Sequence, residues 1–328
     1  MKAIQIVAPY QMEYVDLPTP QPGADEVLLR VRASGLCHTD VNILEGEFHA
    51  SYPVIPGHEF VGEVVEVGAE VDPKWMGMKV AVDPNVPCGL CNACHTNRQN
   101  QCENLNSYGV TMGGGFAEYV VVKEGNIHSI GDLSVDHAAF AEPLACVLHG
   151  LHQIPTYRGG NALIFGAGPM GLLMLQSLKL NGITEVSMVD LHRERLAIAT
   201  ELGASQVYVP QEIAGQDKQY DIVVDATGVP AVIEKLPHYT ATSGSILYFG
   251  VCSPGQQVKI EPYDIYRRDI RIAGSFSLRA GIAPALKLLE DGFIQVDKLI
   301  THRIDLEQLA EGIKLVGQAS VLKVIVQS

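Results

Sequence analysis

From about residue 145 onward, continuous apolar runs alternate with segments of helical character. Two of the helical segments, at 169–182 and 193–203, end in glycine, the residue that most readily adopts the left-handed conformation that ends a helix. The apolar runs are NALIFG (161–166), EVSMVD (185–190), DIVVDATG (221–228), GSILYFGV (244–251) and RIAGSFS (271–277). Strands that are apolar along their whole length and separated by helices form a parallel sheet covered on both faces. This half of the chain is therefore predicted to have an α/β fold.

The first 140 residues contain shorter runs in which apolar and polar residues alternate. These runs are EVLLRVRASG (26–35), FVGEVVEVG (60–68), MKVAVDP (78–84) and FAEYVVV (116–122). A period of two indicates half-buried strands, and together the runs predict an all-β, barrel-like unit. An amphipathic helix at 281–290 and the final strand VLKVIVQS are too short to fold alone, so we expect them to return to this unit. The predicted domains are 1–146 and 147–276, with 277–328 as the returning segment.

Charge and hydropathy limit the partners of the chain. With 23 Lys and Arg against 37 Asp and Glu, the net charge is -14, which argues against a nucleic-acid partner because phosphate binding needs clustered basic residues. The N-terminal segment lacks the apolar core of a secretory signal, and apolar residues never run long enough to span a membrane. We therefore expect a cytoplasmic protein with no membrane partner. Disulfides rarely persist in that reducing compartment.

The segment CGLCNACHTNRQNQC, residues 88–102, holds four of the seven cysteines of the chain. Its cysteines are Cys88, Cys91, Cys94 and Cys102. Two Cys-x-x-Cys steps allow backbone turns to direct three sulfurs at one ion, and the fourth cysteine completes a tetrahedral zinc site. Four thiolates leave no position for a substrate, so the predicted role is structural. An iron–sulfur cluster and free or oxidised thiols are the alternatives.

The segment GAGPMG follows an apolar strand and opens a helix. Its cofactor-binding candidates are Gly166, Gly168, Pro169, Met170 and Gly171. Glycines let the backbone approach a pyrophosphate at the positive end of the helix, and Asp190, nineteen residues after the third glycine, would accept hydrogen bonds from a ribose. A carboxylate there repels a 2'-phosphate, which favours NAD over NADP. Arg193 and Arg195 follow; either they compensate a phosphate charge, which makes Arg195 a further cofactor candidate, or they are solvated.

The β-rich half contains three further residues of the kinds that bind metal ions, Cys37, His58 and Glu59. They lie within CHTD (37–40) and GHEFVGEVVEVG (57–68). Three protein ligands and one open position are the arrangement of a catalytic zinc. Each residue alone also has an ordinary explanation, as a buried apolar thiol or a core histidine. The residues by themselves leave both explanations open.

These motifs, taken in order with the four-cysteine loop and the glycine-rich segment, resemble the zinc-dependent medium-chain alcohol and polyol dehydrogenases over essentially the whole chain. The resemblance implies a GroES-like β-barrel catalytic domain with a Rossmann-type domain, two zinc ions per chain, NAD, and a homodimer or homotetramer. It implies that Cys37 and His58 bind a catalytic zinc, and that Glu59 is a third ligand or approaches the metal from behind. Glu142, in AEPLACVLHG (141–150), resembles a glutamate near that zinc; Cys146 is its rival.

The resemblance also suggests a reaction, the reversible oxidation of a secondary alcohol by hydride transfer to the nicotinamide. The substrate would be a polyol, a sugar acid or a related hydroxy compound. Thr39 resembles the hydroxyl residue that passes the substrate proton onward, and His38 resembles a residue that contacts the cofactor pyrophosphate. Where many relatives continue the relay with histidine, this chain has Asn42, which cannot carry a proton. Arg279 either meets an anionic substrate group or lies in water.

Two other functions are compatible with this fold. A zinc-free medium-chain reductase of quinones or enones would lack the set of Cys37, His58 and Glu59. A non-catalytic NAD-binding structural protein would have damaged ligands, whereas here the ligand set is complete.

Overall fold

The computed structural model describes residues 1–215, 217 and 219–328. The strands, numbered in chain order, are β1 (Lys2–Ala8), β2 (Gln11–Asp16), β3 (Glu26–Leu36), β4 (Glu59–Val67), β5 (Lys79–Val82), β6 (Asn85–Val86), β7 (Asn106–Ser107), β8 (Tyr119–Lys123), β9 (Ile127–Ser129), β10 (Asn161–Phe165), β11 (Glu185–Val189), β12 (Gln206–Tyr208), β13 (Tyr220–Asp225), β14 (Thr240–Tyr248), β15 (Arg271–Gly274), β16 (Ile300–Asp305) and β17 (Lys323–Gln327).

The α-helices are α1 (His38–Glu45), α2 (Asn92–His95), α3 (Val135–Ala138), α4 (Ala141–Leu151), α5 (Pro169–Leu180), α6 (Arg193–Glu201), α7 (Pro230–Ile233), α8 (Leu236–Tyr239), α9 (Pro262–Arg267), α10 (Ile282–Glu290) and α11 (Leu309–Leu315). Short 3₁₀ helices lie at Pro73–Trp75, Gln99–Gln101, Glu124–Asn126, Asp297–Leu299 and Leu306–Gln308. Within the described part of the chain, no helix has the length and apolar character that a bilayer crossing requires.

The chain divides into two compact units. The first unit consists of Met1–Ala145, Leu278–Gly292 and Val296–Ser328, and the second consists of Cys146–Ser277 and Phe293–Gln295. The domain limits predicted from the sequence, 1–146, 147–276 and 277–328, stay a prediction about which parts fold independently.

The first unit is built on a seven-stranded sheet. Its strand order is β16-β17-β3-β4-β5-β9, and β8 pairs with β3. The alternating runs predicted as strands are confirmed, and they supply one core cluster that includes Val27, Leu29 and Val31 from β3. Strand β17 is antiparallel to β3, with Val324 opposite Leu36, and β4 is antiparallel to β3 on the other side, with Glu59 opposite Gly35. Residues from the two ends of the chain therefore lie side by side.

The second unit contains a parallel sheet of six strands in the order β12-β11-β10-β13-β14-β15. The predicted parallel sheet is confirmed, because each pair in it is parallel. The central strands β10 and β13 are buried, with Leu163 and Val223 fully inaccessible, whereas the edge strand β15 is largely exposed. The strand order reverses between β10 and β13, and doubly wound sheets bind nucleotides at the carboxyl ends of the strands at such a point. Both Gly166, after β10, and Asp190, after β11, follow carboxyl ends of strands.

Candidate metal centres and nucleotide-binding site

The four cysteines at 88–102 converge on one point. One sulfur from each residue lies within 4.8 Å of the other three. The sulfur atoms of Cys91 and Cys94 are 3.5 Å apart, and those of Cys91 and Cys102 are 3.9 Å apart. Zinc–sulfur bonds of about 2.3 Å in a tetrahedron place sulfurs roughly 3.8 Å apart, whereas a disulfide bond is only about 2.0 Å long. The four thiols therefore fit a single zinc ion, and all are free thiols in this structure.

The local backbone prepares these sulfurs to bind a cation. The backbone N–H of Cys88 and that of Asn104 both point to the sulfur of Cys102, at 3.2 and 3.4 Å. Backbone N–H groups of Glu103 and Cys94 lower the pKa of Cys91 to about 6, and burial raises that of Cys94 to about 12. Sulfur atoms this close together can all bind one ion. In an iron–sulfur cluster, by contrast, the cysteine thiolates bind different iron atoms and therefore lie further apart. The structural-zinc hypothesis thus fits better than the iron–sulfur alternative.

The dispersed candidates also come together. Ligand atoms of Cys37, His58 and Glu59 all lie within 4.8 Å of one another, and both His58 and Glu59 are buried. Zinc bonds of about 2.0 to 2.3 Å allow two ligands of one ion to be up to roughly 4.5 Å apart. The thiol, imidazole and carboxylate donors are of the kind that zinc takes in catalytic sites. A zinc-free reductase would not require this convergence.

Asp40 holds two of these residues in place. Cys37 is the N-cap of α1, and its backbone N–H donates to Asp40 Oδ2 at 2.9 Å. Asp40 Oδ1 accepts from the backbone N–H of Gly57 at 3.1 Å and lies 3.4 Å from His58 Nδ1. The contact to His58 is an ion-pair contact rather than a well-aligned hydrogen bond. A carboxylate behind a metal-binding histidine fixes the ring orientation, which is the position that Asp40 occupies.

The same carboxylate changes the protonation of His58. Burial is the largest single influence on His58 and would lower its pKa, but the contacts with Asp40 and Cys37 together outweigh burial and raise the pKa well above its ordinary value. A metal ion must therefore displace a proton from His58, because only the neutral imidazole is a ligand.

Glu59 is paired with a residue that the sequence analysis missed, Lys323. The ammonium of Lys323 donates to both carboxylate oxygens of Glu59, at 2.8 and 2.7 Å, and the two side chains are only 5% and 1% exposed. Burial alone would lower the pKa of Lys323, but the charges of Glu59, Cys37 and Glu142 outweigh it and raise the pKa above 10.5. A single lysine within the apolar run VLKVIV was the signal in the sequence.

Gly35 makes room for this pair. It lies on β3 between Lys323 on β17 and Glu59 on β4. A β-carbon at Gly35 would stand 2.0 Å from Glu59 Oε2, so any other residue would displace the carboxylate. The close approach of a side chain to the backbone therefore requires glycine here.

The other candidates near this centre take different places. Glu142 lies in the first turn of α4 and Cys146 four residues further along the same helix; Glu142 is outside the three-residue ligand group, although its charge acts on Lys323. Thr39 is half-buried, with its hydroxyl 3.7 Å from the sulfur of Cys37. His38 is exposed at the start of α1, and Asn42 is half-buried on that helix. Arg279 is exposed. The roles of all these residues stay predictions.

The glycine-rich segment has the geometry expected of a phosphate-binding turn. Gly166 follows β10, Gly168 is the N-cap of α5, and Pro169 and Met170 form its first turn. A β-carbon at Gly171 would stand 1.9 Å from the carbonyl oxygen of Gly166, so only glycine permits this close packing of helix and turn. The N–H groups that a helix leaves unpaired at its start can bind an anion here.

Asp190 is tied to this segment. Its Oδ2 accepts from the backbone N–H of Ala167 at 2.7 Å, and its Oδ1 accepts from that of His192 at 2.8 Å. Each carboxylate oxygen has a second lone pair that can still accept from a ribose hydroxyl. Arg193 forms an exposed ion pair with Glu212, and Arg195, two residues further along α6, is half-buried.

Comparison with known proteins agrees with this architecture. Residues 23–132 match the family described as alcohol dehydrogenase GroES-like domain, and residues 169–291 match zinc-binding dehydrogenase. The chain is 41% identical over 315 residues to D-altritol 5-dehydrogenase of Agrobacterium fabrum (strain C58 / ATCC 33970), covering 94% of each chain. It is 33% identical to D-arabinitol dehydrogenase 1 of Uromyces fabae, covering 100% of this chain and 97% of that one.

Two solved structures are similar along their whole length. A chain from Sinorhizobium meliloti 1021 bound to NADP has a TM-score of 0.97 and 34% identity, and covers 100% of this chain and 99% of its own. RspB from E. coli CFT073, complexed with NADH, has a TM-score of 0.93 and 29% identity, with the same coverage. The chain therefore belongs to the zinc-dependent medium-chain alcohol and polyol dehydrogenases, and the predicted family and fold are confirmed.

Proposed function

We propose that this protein is an oxidoreductase that interconverts a secondary alcohol, of the polyol or sugar-acid class, and a ketone by hydride transfer to NAD. The observation that carries the proposal is the convergence of Cys37, His58 and Glu59 within 4.8 Å in a chain that also has the dinucleotide segment at 166–171. The similarity to D-altritol 5-dehydrogenase and D-arabinitol dehydrogenase 1 supports the substrate class.

A zinc ion at the dispersed site would supply Lewis-acid polarisation of the alcohol oxygen. Cys37 and His58 are the residues that would hold it, with Glu142 as the proposed further ligand. Asp40 orients His58 through the contact at Nδ1 and orients Cys37 through the backbone N–H. Both contacts keep these donors in place before substrate arrives, which lowers the cost of reaching the reactive geometry.

The substrate proton has to leave as the hydride is transferred. Thr39 Oγ1 is the proposed first acceptor, because its hydroxyl can accept one proton while donating its own. The amide of Asn42 cannot continue such a relay near neutral pH. We therefore propose that the proton passes from Thr39 to the cofactor ribose or to water.

NAD is the proposed cofactor in preference to NADP. The carboxylate of Asp190, held against the glycine-rich turn by Ala167, would repel a 2'-phosphate and accept from a 2'-hydroxyl. Arg193 is already paired with Glu212, which reduces its availability to a phosphate. The NADP bound to the Sinorhizobium meliloti chain makes a direct comparison of the two cofactors necessary.

The four-cysteine loop is proposed to bind a structural zinc.

For the whole protein we propose a cytoplasmic homodimer or homotetramer, with the domain limits predicted from the sequence. Light scattering of the purified chain would test the oligomeric state.

A substrate screen tests the proposed activity. Altritol, arabinitol, sorbitol, hexonates, butanediol and threonine are incubated with the purified protein and either NAD or NADP, and the reduced nicotinamide is followed by absorbance. We expect reduction of NAD with at least one polyol and none with the Cys37→Ser variant. A protein that binds two zinc ions per chain but reduces neither cofactor with any of these alcohols would contradict the proposal and favour a non-catalytic role.

A further inference from the structure

The Lys323–Glu59 pair is a buried interaction that the proposed mechanism does not use. Both oxygens of the Glu59 carboxylate accept from the same ammonium group, at 2.8 and 2.7 Å. Lys323 also lies 3.5 Å from the carbonyl oxygen of Leu36, the residue just before Cys37. The pair therefore adjoins the dispersed metal site.

Strand register explains why these residues meet. Opposite residues of an antiparallel pair project to the same face, so Gly35, Glu59 and Ile325 share one face of the sheet. Lys323 is two residues before Ile325 and so projects to that face as well. The absence of a side chain at Gly35 leaves a path over β3, along which the lysine reaches the glutamate.

Without the ammonium of Lys323, negative groups would outnumber positive groups around the dispersed metal site. The negative groups that act on Lys323 are Glu59, Cys37 and Glu142, and Asp40 stands behind His58. Each oxygen of this carboxylate keeps a second lone pair, but moving the group to full metal coordination would lengthen its two contacts with the ammonium. Because both side chains are buried, weakening the pair would leave a buried ammonium poorly compensated, which is costly.

We propose that Lys323 is a positioning residue that holds Glu59 beside the metal centre as an ion-paired carboxylate and thereby keeps Glu59 from becoming a full ligand. The inference rests on the proposed catalytic metal site. It implies that one coordination position stays open for the alcohol, and that the ammonium offsets one of the negative charges around the ion.

The proposal and a merely structural role for Lys323 predict opposite changes in metal affinity when the lysine is replaced. A residue that only supports the ligands would, when removed, weaken metal binding about 10 to 100-fold. By this proposal, replacing Lys323 frees the Glu59 carboxylate to become a metal ligand and removes a positive charge that repels the metal ion. Metal should then be held more tightly, while turnover falls because the open position is occupied.

The experiment compares Lys323→Met, Lys323→Arg, Glu59→Gln and the double variant Glu59→Gln/Lys323→Met with the unsubstituted protein. Metal content per chain and the rate of zinc loss to a chelator are measured, with the four-cysteine site as an internal reference present in every variant. The dispersed site is then loaded with Co²⁺, whose visible absorption depends on the number and geometry of its ligands. KM and kcat are measured in parallel.

We expect Lys323→Met to lose zinc from the dispersed site at least about tenfold more slowly and to change the Co²⁺ spectrum. Lys323→Arg, Glu59→Gln and the double variant should keep the original spectrum, because Glu59 is not a full ligand in any of them. If Lys323→Met does not fold, Glu59→Gln still decides the question. A spectrum altered by Glu59→Gln, or faster zinc loss with an unchanged spectrum in Lys323→Met, would overturn the inference. An unsubstituted protein with a single zinc, lost on Cys94→Ser, would overturn the proposed function as well.

Discussion

The two metal-type clusters of the first unit are assembled in different ways. The four-cysteine cluster comes from fifteen consecutive residues, and its sulfurs are held by the backbone of its own loop. The dispersed cluster joins the end of β3, the start of β4 and, through Lys323, the C-terminal strand. The first cluster is therefore local and sulfur-rich, whereas the second depends on strand register and on buried carboxylates. The electrostatics of the first cluster therefore come from its own loop, whereas those of the second come from residues that are far apart in the chain.

Cys37→Ser is the change that separates the two clusters most strongly. Loss of a zinc ligand should reduce kcat/KM at least about a thousandfold, since Lewis-acid catalysis contributes several kcal/mol to the barrier. Zinc content should fall from two to one per chain, and the melting temperature should change little. Metal analysis and steady-state kinetics check this. Wild-type turnover in this variant would remove the dispersed site from the mechanism.

Cys94→Ser tests the local cluster. Because metal binding contributes to folding, we expect a loss of about 3 kcal/mol in the free energy of unfolding and a melting temperature about 6 to 12 °C lower. The folded fraction should keep its activity at low temperature. Calorimetry with added chelator, compared between the variant and the unsubstituted protein, makes the measurement. Equal melting temperatures would show that this loop needs no metal.

The second unit offers an intermediate case, a contiguous glycine-rich segment with a carboxylate from the next strand. Asp190→Asn should raise the KM for NAD about 10 to 150-fold with little change in kcat, because a hydrogen bond to a charged group contributes about 1.5 to 3 kcal/mol. The preference for NAD over NADP should shrink as well. Kinetics with both cofactors check this, and an unchanged ratio would point to another determinant of cofactor choice.

Asp83 is a second carboxylate of the first unit, but among the described residues no lysine or arginine is its hydrogen-bond partner. Asp83 is half-buried, whereas Glu59 is fully buried; the backbone N–H of Asn85 donates a hydrogen bond to Asp83, and partial burial raises its pKa to about 6. Between pH 3.8 and 6 the folded state holds more protons than the unfolded state, so stability falls as pH rises through this range and stays lower above it. Asp83→Asn should therefore be more stable than the unsubstituted protein at pH 8, by up to about 3 kcal/mol.

Thermal melts of Asp83→Asn at pH 4 and pH 8 measure this effect. The gain should nearly vanish at pH 4, where Asp83 is protonated in the folded state. An equal gain at both pH values would mean that its cause is packing rather than ionisation.

The sequence was informative wherever chemistry has a fixed local spacing. The four cysteines, the glycines at 166–171 and the Asp190 nineteen residues later follow from the geometry of one turn or of one β-α-β unit. Lys323 could not be found in this way, because it meets Glu59 across 264 positions of the chain. Only the pairing of β17 with β3 brings them together, and a single sequence contains no signal for that register. Asp40 is only three residues after Cys37 in the sequence, but its role depends on helix α1, which directs its carboxylate toward His58.

The location of Lys323 on β17 has a consequence for the order in which the protein matures during synthesis. Residues 88–102 can capture an ion as soon as they leave the ribosome, since everything they need is within the loop. The dispersed centre reaches its ion-paired form only after position 323 has emerged and β17 has docked beside β3. Until then Glu59 lacks its counter-ion and, if Lys323 acts as proposed, is available as a full ligand. A metal ion bound early would then have no open position for the alcohol, so catalytic competence is expected only after β17 has docked.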